Sequence, residues 1–287
     1  MANNFLVQHI SKGTGRFFAS ASIAISILST IGLSSSPVWA DSIYTTNIPS
    51  LAKTEIQTIN KQGRSIGNVV FPPNGGFGIV YGNYGYSTSL LPRELLNALS
   101  TINKQKLTIN SIVFTPSRQW IVIYGKNGFY RSTNFPQDVT NQLLQINKRN
   151  FTINSVAFTP YGGWVIIYGG SGYAYINIPP ALSNKISDIN KEAKKIIKYI
   201  TFTNNGEWII IYDKGNSNGN GAFWSKNFPQ QVITTIKKIY ADSGEITTIA
   251  FTSNNGWALS YDNFTTILNR LQAEYIGLSN YLYYLRQ

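Results

Sequence analysis

The sequence predicts a mainly β fold with helices, built from repeats of about 44 residues. One marker of the repeat is an Asn-apolar-Pro tripeptide or its Leu-Leu-Pro variant, at 47–49, 90–92, 134–136, 177–179 and 227–229. The other marker is a phenylalanine that ends an apolar run, at Phe71, Phe114, Phe158, Phe202 and Phe251. Five units follow from these markers. A period in the forties is typical of propeller blades and of helical arrays, and the strand-forming residues exclude a purely helical array.

The third unit shows the plan of the repeat. Residues 155–158 and 164–168 are runs of strand formers, and the segment between them, Thr159 to Gly163, has the proline and glycines of a turn. Gly169 to Gly172 turns the chain again, into a third strand from Tyr173 to Ile176. We therefore predict a three-stranded antiparallel meander. Its strands are apolar at nearly every position, which indicates sheets covered on both faces.

A helical pattern of about 15 residues precedes the first strand of each unit. In the second unit, Leu91, Leu95, Leu99 and Ile102 lie on one helical face. Proline stands at the beginning of most of these segments, where a helix tolerates the missing N–H group. Each unit is thus predicted as one helix and three strands, and each helix must bury its apolar stripe against a sheet.

Two arrangements fit five such units. In a closed, β-propeller-like ring, the meanders pack face to face and the helix takes the outer edge, in place of a fourth strand. In an open α/β solenoid, the units stack in a line with capped ends. We expect the ring, because the first unit shows no obviously polar cap. Residues 268–287 argue for the solenoid, since they predict a C-terminal amphipathic helix where the fifth unit should have its third strand.

Residues 1–40 predict a signal peptide. Lys12 and Arg16 precede an apolar stretch from Phe17 to Leu33, and Ala40 is a small residue of the kind found before a cleavage point. The stretch is interrupted by serines and is shorter than a membrane anchor requires. We therefore expect an exported protein, periplasmic or extracellular, with a five-repeat domain at 41–267 and no transmembrane segment after removal of the leader.

The composition excludes several kinds of chemistry. The chain has one histidine and one methionine, both within the leader, and no cysteine. A Ser-His-Asp triad, a cysteine nucleophile and a zinc site of histidine and cysteine ligands therefore cannot form in the mature protein. The loop at 216–221 alternates asparagine and glycine but lacks the acidic ligands of a calcium loop. We expect neither a metal nor a cofactor.

The run from Phe158 to Tyr168, FTPYGGWVIIY, has a variant in every unit. Its Phe-x-Pro-x-Gly pattern resembles the strand-turn-strand segment of five-bladed propeller lectins of the tachylectin type. The resemblance covers residues 48–261 by repeat count and implies a small-sugar site in each blade. The helices between the meanders depart from that family's pattern, so no binding residue is transferred. The unit also resembles repeats of secreted cyanobacterial proteins without assigned activity, which agrees with the leader.

Aromatic residues recur at fixed and at variable places. Trp120, Trp164, Trp208 and Trp257, with Phe77 in the first unit, begin the second strand, and we interpret them as core residues. The aromatic residues around the third strand vary between units, which predicts exposure. The candidates for ligand contact among them are Tyr84, Tyr86, Tyr130, Tyr173, Tyr175 and Trp224.

The chain is basic, with 24 Lys and Arg against 12 Asp and Glu. Lysines follow an Ile-Asn pair at four predicted helix ends, at Lys61, Lys104, Lys148 and Lys191. Cations at a helix C-terminus contribute about 0.3–1 kcal/mol each, and in a ring they would share one rim. Such a rim suits a polysaccharide, an anionic surface or an acidic protein partner. No nucleic-acid-binding motif is recognisable, so a nucleic acid is not expected.

Two function classes follow from these features. The first is a non-enzymatic binding or interaction module for glycans or anionic surfaces, which would use the basic rim and the exposed aromatic residues. The alternative is a carbohydrate-active hydrolase that uses Asp213 and Asp262 as its carboxylate pair, since such enzymes hold two carboxylates about 5–9 Å apart. Because aspartate after a strand is also an ordinary turn residue, we favour the binding module.

Overall fold

The computed structural model describes residues 43–192, 194–215 and 219–262, and the structural statements that follow concern these residues. The predicted signal peptide and the predicted C-terminal helix lie outside the described residues. Three residues of the asparagine-rich loop, 216–218, also lie outside them.

Helices of 12 residues alternate with the sheets. They are α1 (Ser50–Lys61), α2 (Arg93–Lys104), α3 (Gln137–Lys148), α4 (Pro180–Lys191) and α5 (Gln230–Ala241). A proline occupies the N-cap position of each one, which agrees with the predicted role of proline at the helix start. Each helix buries a single stripe, as with Leu95, Leu99 and Ile102 in α2. The predicted helix in every unit is confirmed.

The strands form five three-stranded antiparallel sheets. In sheets 1 to 4 the chain passes from an inner to a middle to an outer strand. Sheet 1 has β2 (Ile66–Val70), β3 (Phe77–Tyr81) and β4 (Gly85–Ser89), and sheet 2 has β5 (Ile109–Phe114), β6 (Trp120–Tyr124) and β7 (Gly128–Arg131). Sheet 3 has β8 (Ile153–Phe158), β9 (Trp164–Tyr168) and β10 (Gly172–Ile176), and sheet 4 has β11 (Ile196–Phe202), β12 (Trp208–Asp213) and β13 (Asn220–Trp224).

Sheet 5 takes its outer strand from the beginning of the described chain. Its inner and middle strands are β14 (Glu245–Phe251) and β15 (Trp257–Asp262), and β1 (Ile43–Thr46) pairs with β15 in antiparallel register. The ring of Tyr44 stacks on that of Tyr261, with centroids 5.6 Å apart. The third strand of the fifth unit is therefore a segment that precedes the first repeat, and not a segment after the fifth.

The inner strands close a ring. Contacts join β2 to β5, β5 to β8, β8 to β11 and β11 to β14, and β14 contacts β2. Hydrogen bonds reinforce these contacts: the Ile112 N–H donates to Asn68 Oδ1 at 3.0 Å, and the Tyr199 hydroxyl donates to the Ile249 carbonyl at 2.7 Å. The propeller-like ring is confirmed, and the open solenoid is wrong.

Each helix fills the space between two neighbouring sheets. Leu95 and Leu99 of α2 pack with Val80 of sheet 1 and with Ile112 and Val122 of sheet 2. The other four helices form equivalent clusters. The helices were expected at the outer edge in place of a fourth strand. They lie between the sheets because only there is the apolar stripe covered from both sides.

The repeated aromatic residues behave in two ways. The tryptophans at the head of the middle strands, and Phe77 in sheet 1, are buried, so their interpretation as core residues is confirmed. The repeat predicted that the phenylalanines ending the inner strands are buried at equivalent places. They do occupy equivalent places at the edge of the five clusters, but they are half-buried. Their strand ends adjoin the exposed turns, which leaves one side of each ring accessible.

Candidate binding face at the helix ends

The helices all end on one face of the ring, which we call the helix-end face. Each helix returns the chain from the end of an outer strand to the beginning of the next inner strand, so all five run in the same sense. In α2, α3 and α4 the asparagine of the Ile-Asn-Lys pattern ties the helix end to the neighbouring turn between middle and outer strands. The bonds run from Asn103 Nδ2 to the Tyr84 carbonyl at 3.0 Å, from Asn147 Nδ2 to the Asn127 carbonyl at 3.2 Å, and from Asn190 Nδ2 to the Ser171 carbonyl at 3.0 Å.

The predicted lysines are the last residues of their helices. Lys61, Lys104, Lys148 and Lys191 are all exposed, so their ammonium groups are available to a partner. Lys191 Nζ lies 3.6 Å from the carboxylate of Asp188, and both side chains are exposed. An exposed pair of this kind contributes little and competes weakly with an anionic partner.

The fifth helix ends differently, because Tyr240 takes the place of the asparagine. Its hydroxyl is buried and has no hydrogen-bond partner among the described residues. Burial raises the pKa of Tyr240, and the neighbouring Tyr212 and Glu245 raise it further. Lys214 lies 5.5 Å from the centre of the Tyr240 ring, and Lys238 lies 5.7 Å from that of Tyr44. Cation–π contacts therefore hold two lysines on this part of the face.

Most other cations of the described chain lie on the same face, near the end of α5, at the beginning of β11, and in the turns that follow the helices or join middle to outer strands. They are Arg64, Lys106, Lys126, Arg149, Lys194, Lys195, Lys198, Lys214, Lys237 and Lys238. The opposite face has fewer cations. They are Lys53 in the first turn of α1, and Arg93, Arg118, Arg131 and Lys226. Acidic residues on the helix-end face, such as Glu192 and Asp242, offset only part of its charge.

Sheet 4 has the densest group of lysines. Lys195 Nζ lies 2.6 Å from the Glu192 carboxylate and 5.3 Å from the centre of the Tyr212 ring. The hydrogen bond to Glu192 raises the pKa of Lys195. Lys198 Nζ lies 3.4 Å from Asp213. Two lysines of this group, Lys195 and Lys198, therefore pair with carboxylates.

A central channel of about 310 Å³ is lined by the inner strands of all five sheets. Each inner strand has a β-bulge near its beginning, and the bulged residues are Gly67, Asn110, Asn154, Lys198 and Thr247. Three of them bond to the main chain through their side chains: Asn110 Nδ2 to the Gly125 carbonyl at 2.6 Å, Asn154 Nδ2 to the Gly169 carbonyl at 2.9 Å, and the Thr247 hydroxyl to the Ile66 carbonyl at 3.2 Å. The polar ring at the channel mouth thus contributes to closure of the fold.

The six aromatic candidates do not form one site. Tyr84 is exposed on the helix-end face, and Tyr173 and Tyr175 are exposed on β10. The other three are half-buried against the cores, Tyr86 and Tyr130 beside α2 and Trp224 beside α5. Variation between units therefore indicated exposure correctly for only half of the set, because in sheets 1, 2 and 4 the neighbouring helices cover the outer strand.

A groove of about 600 Å³ lies beside α2, and sequence analysis missed it. Glu94 and Asn97 of the helix form one wall, and Arg118, Tyr130 and Arg131 contribute to the other side. Tyr130 stacks on Tyr124 with centroids 5.2 Å apart, and burial together with Tyr130 raises the pKa of Tyr124. The sequence did mark this turn as unusual, because Arg118 stands where three other units have glycine. In the structure Arg118 adopts the left-handed backbone conformation, with a φ of 69°.

The two candidate catalytic carboxylates end the middle strands of neighbouring sheets. Asp213 accepts a hydrogen bond from the Gly215 N–H at 2.8 Å and pairs with Lys198. Asp262 lies opposite Glu245 in the strand register. Asp213 thus has the contacts of an ordinary turn residue, and the hydrolase stays a prediction. The described residues contain no group of three or more acidic or histidine side chains that could hold a metal ion.

No family model matches the sequence, and no curated protein matches it. Among solved structures, the chain has a weak likeness to one described as YCF48 bound to D1 peptide, with 13% identity and a TM-score of 0.25. The alignment covers 66% of this chain and 58% of that chain, so the chain spans less than two thirds of its length. None of the helices in the described ranges is long and apolar enough to cross a membrane.

Proposed function

We propose that this protein is an exported, non-enzymatic binding module that takes an anionic polysaccharide on its helix-end face. The observation that supports the proposal is the shared direction of the helices, which brings Lys61, Lys104, Lys148 and Lys191 to one face as exposed residues. Export rests on the leader pattern of residues 1–40. Lipid headgroups and acidic proteins carry the same charge, and the experiment below separates them from the polysaccharide.

A polymer fits this arrangement better than a small anion. The lysines are dispersed around the ring, one at the end of each of the first four helices, and exposed charges are screened over about 8 Å at physiological ionic strength. A small anion would therefore gain from one lysine at a time. A polyanion contacts several at once, and each additional contact is intramolecular, so weak individual contacts sum to a useful affinity.

Tyr84 adds a contact suited to sugars. It is exposed in the turn to which Asn103 bonds, next to the end of α2 and therefore close to Lys104. An aromatic ring beside a cation offers a stacking surface for the apolar face of a pyranose while the lysine meets its acidic group. This combination favours a polysaccharide over a headgroup surface.

The test compares two quadruple variants of the mature protein. In the first, Lys61, Lys104, Lys148 and Lys191 are each replaced by Gln. In the matched control, four cations of the opposite face, Arg93, Arg118, Arg131 and Lys226, are each replaced by Gln. Binding to alginate, to anionic lipid vesicles and to an acidic protein is measured over a range of salt concentrations.

We expect the affinity for alginate to fall steeply as salt rises, since each contact between a lysine and a carboxylate is electrostatic. The variant without the four helix-end lysines should bind alginate at least about tenfold more weakly than the parent. The control variant should keep its affinity. Binding that is equal in the two variants, or stronger to vesicles or acidic protein than to alginate, contradicts the proposal.

A further inference from the structure

A second surface lies on β10, the outer strand of sheet 3. Tyr173 and Tyr175 project from the same side of the strand, because alternate residues of a strand share a side. Their side chains are 37% and 43% exposed. The ring planes differ by 3° and the centroids lie 6.1 Å apart. Face-to-face contact places atoms about 3.5–4.0 Å apart, so the two rings leave most of their faces open.

The outer strands of the other sheets do not show such a pair. Tyr86 and Phe129 occupy the place of Tyr173 in sheets 1 and 2, and both pack against core clusters. Trp224 occupies the place of Tyr175 in sheet 4 and packs against the core around α5. Among the outer strands of the described chain, exposed side chains occur only on β10. The exposed ring faces of this strand are thus free to stack on a ligand.

The surroundings of the pair are uncharged. The sequence has no acidic or basic residue between Arg149 and Lys185, a stretch that includes the whole of sheet 3. The neighbouring last turn of α4 brings Asp188 and Lys191, which pair with each other at 3.6 Å. Lys185 lies 4.5 Å from the centre of the Phe223 ring in sheet 4. The ligand of such a surface is therefore selected by shape and stacking and not by charge.

We propose that Tyr173 and Tyr175 form a stacking site for a neutral glycan. The C–H groups on the flat face of a pyranose meet the electron-rich face of a tyrosine ring, and the tyrosine hydroxyls bond to sugar hydroxyls. Two parallel rings on one strand accept two sugar units of the same chain. The site goes beyond the helix-end face, because it requires no lysine and takes an uncharged ligand.

Two other occupants fit the surface less well. A second copy of the protein, paired edge to edge through five-residue strands, would bury far less than the roughly 1,000 Å² of a stable interface. An added peptide strand would be recognised through main-chain hydrogen bonds, and it would gain little from two parallel rings on one side of β10. A glycan uses the feature that distinguishes this strand from the others.

The experiment titrates the full chain with cellohexaose and maltohexaose by calorimetry. Tyr173→Ala combined with Tyr175→Ala should lower affinity at least about tenfold, since stacking of a flat ring on an aromatic side chain is worth about 1–3 kcal/mol. Tyr173→Phe combined with Tyr175→Phe should keep most of it, because the ring faces remain. Tyr161→Ala is the matched control, since Tyr161 lies in the turn between β8 and β9 of the same sheet and is 83% exposed.

The salt dependence separates this site from the helix-end face. Binding of the neutral oligosaccharides should be unchanged between about 0.1 and 1 M salt, and the quadruple lysine variant should bind them as the parent does. The proposal is overturned if neither oligosaccharide binds, if the double alanine variant binds normally, or if sedimentation shows a dimer that the alanine substitutions dissociate.

Discussion

Ser260 of the last strand donates a hydrogen bond from its hydroxyl to the main-chain oxygen of Ile66 in the first inner strand, 3.0 Å away and buried. Thr247 donates to the same oxygen at 3.2 Å. A buried carbonyl left without a partner costs about 1–3 kcal/mol, so the first sheet depends on the last for its hydrogen bonds. The contact closes the ring through side chains, in addition to the strand pairing of β1 with β15.

The closure predicts a cross-link between the two ends of the ring. Thr45 of β1 lies opposite Ala258 of β15. Opposed residues of antiparallel strands have Cα atoms about 4.5–5.5 Å apart, which a disulfide can bridge. Because the chain has no cysteine, a Thr45→Cys, Ala258→Cys variant should form a single intramolecular disulfide on mild oxidation. Thiol titration and a shift in unfolding midpoint under non-reducing conditions measure it.

The matched control moves one cysteine by a residue. Leu259 lies opposite Tyr44 and points to the other side of the sheet, so Thr45→Cys with Leu259→Cys should keep free thiols. Equal cross-linking in the two variants, or none in the first, contradicts the register and the closure that depends on it.

The turn between β8 and β9 has no space for a side chain at Gly163. A Cβ at this position would lie 2.1 Å from the Asn177 carbonyl oxygen, which is a main-chain atom. Gly163→Ala should therefore destabilise the protein by about 2 kcal/mol or more, since a packed backbone has to move. Denaturant unfolding of the purified variant gives the free energy.

Gly170→Ala is the control for that substitution. Its Cβ would meet no atom within 4 Å, and Gly170 has no positive φ. We expect a change within about 0.5 kcal/mol, as for an ordinary surface position. If the Gly163→Ala variant is as stable as the Gly170→Ala variant, the turn at Gly163 is not in close contact with the main chain of Asn177.

The repeat, the helices and the three-strand meander could all be predicted from the sequence, because each depends on local spacing. The middle strand 164–168 was predicted with its observed bounds, and the turn at Thr159 to Gly163 follows from proline and glycine chemistry. The outer strand of sheet 5 could not be predicted. Its pairing joins Ile43 to Ser260, and nothing in the local pattern of four residues indicates so distant a partner.

The candidate site was predictable to a similar degree. The four helix-end lysines follow from a repeated tripeptide, and a repeated fold has to repeat their position. Exposure of the aromatic residues was not predictable, because Tyr86 and Tyr173 occupy equivalent places and differ in how the next helix covers them. Side-chain burial between sheets depends on the packing of several units, which one strand's sequence does not contain.

We expect a modest loss of stability when the side chain of Asn103 is removed. Its side chain bonds to the Tyr84 carbonyl at 3.0 Å and holds the end of α2 to sheet 1. Asn103→Ala should cost about 0.5–1.5 kcal/mol, the net value of one hydrogen bond. Asn147→Ala should cost a similar amount, and the two losses should add, since the residues lie in different units. Asn97→Ala, at an exposed position of α2, is the control and should cost less than either in denaturant unfolding.

We expect the stability of the protein to fall at alkaline pH because of Tyr240 and Tyr199. Burial raises the pKa of both hydroxyls in the folded protein above the ordinary value of about 10. Below pH 10 the folded and unfolded states both keep the proton, so stability does not change. Above pH 10 the unfolded state loses the proton and the folded state keeps it. Stability then falls by at most about 1.4 kcal/mol per pH unit for each tyrosine, until the folded pKa is passed.

Replacing each tyrosine with phenylalanine should have different effects on stability at neutral pH. Tyr240→Phe removes a buried hydroxyl without a partner among the described residues, so stability should stay equal or rise by up to about 1 kcal/mol. Tyr199→Phe removes the 2.7 Å bond to the Ile249 carbonyl and should cost about 1 kcal/mol. Each variant should show a shallower loss of stability above pH 10 than the parent, measured by denaturant unfolding across the pH range. A Tyr240→Phe variant that loses more than about 1 kcal/mol at neutral pH would show that its hydroxyl has a partner that stabilises the fold.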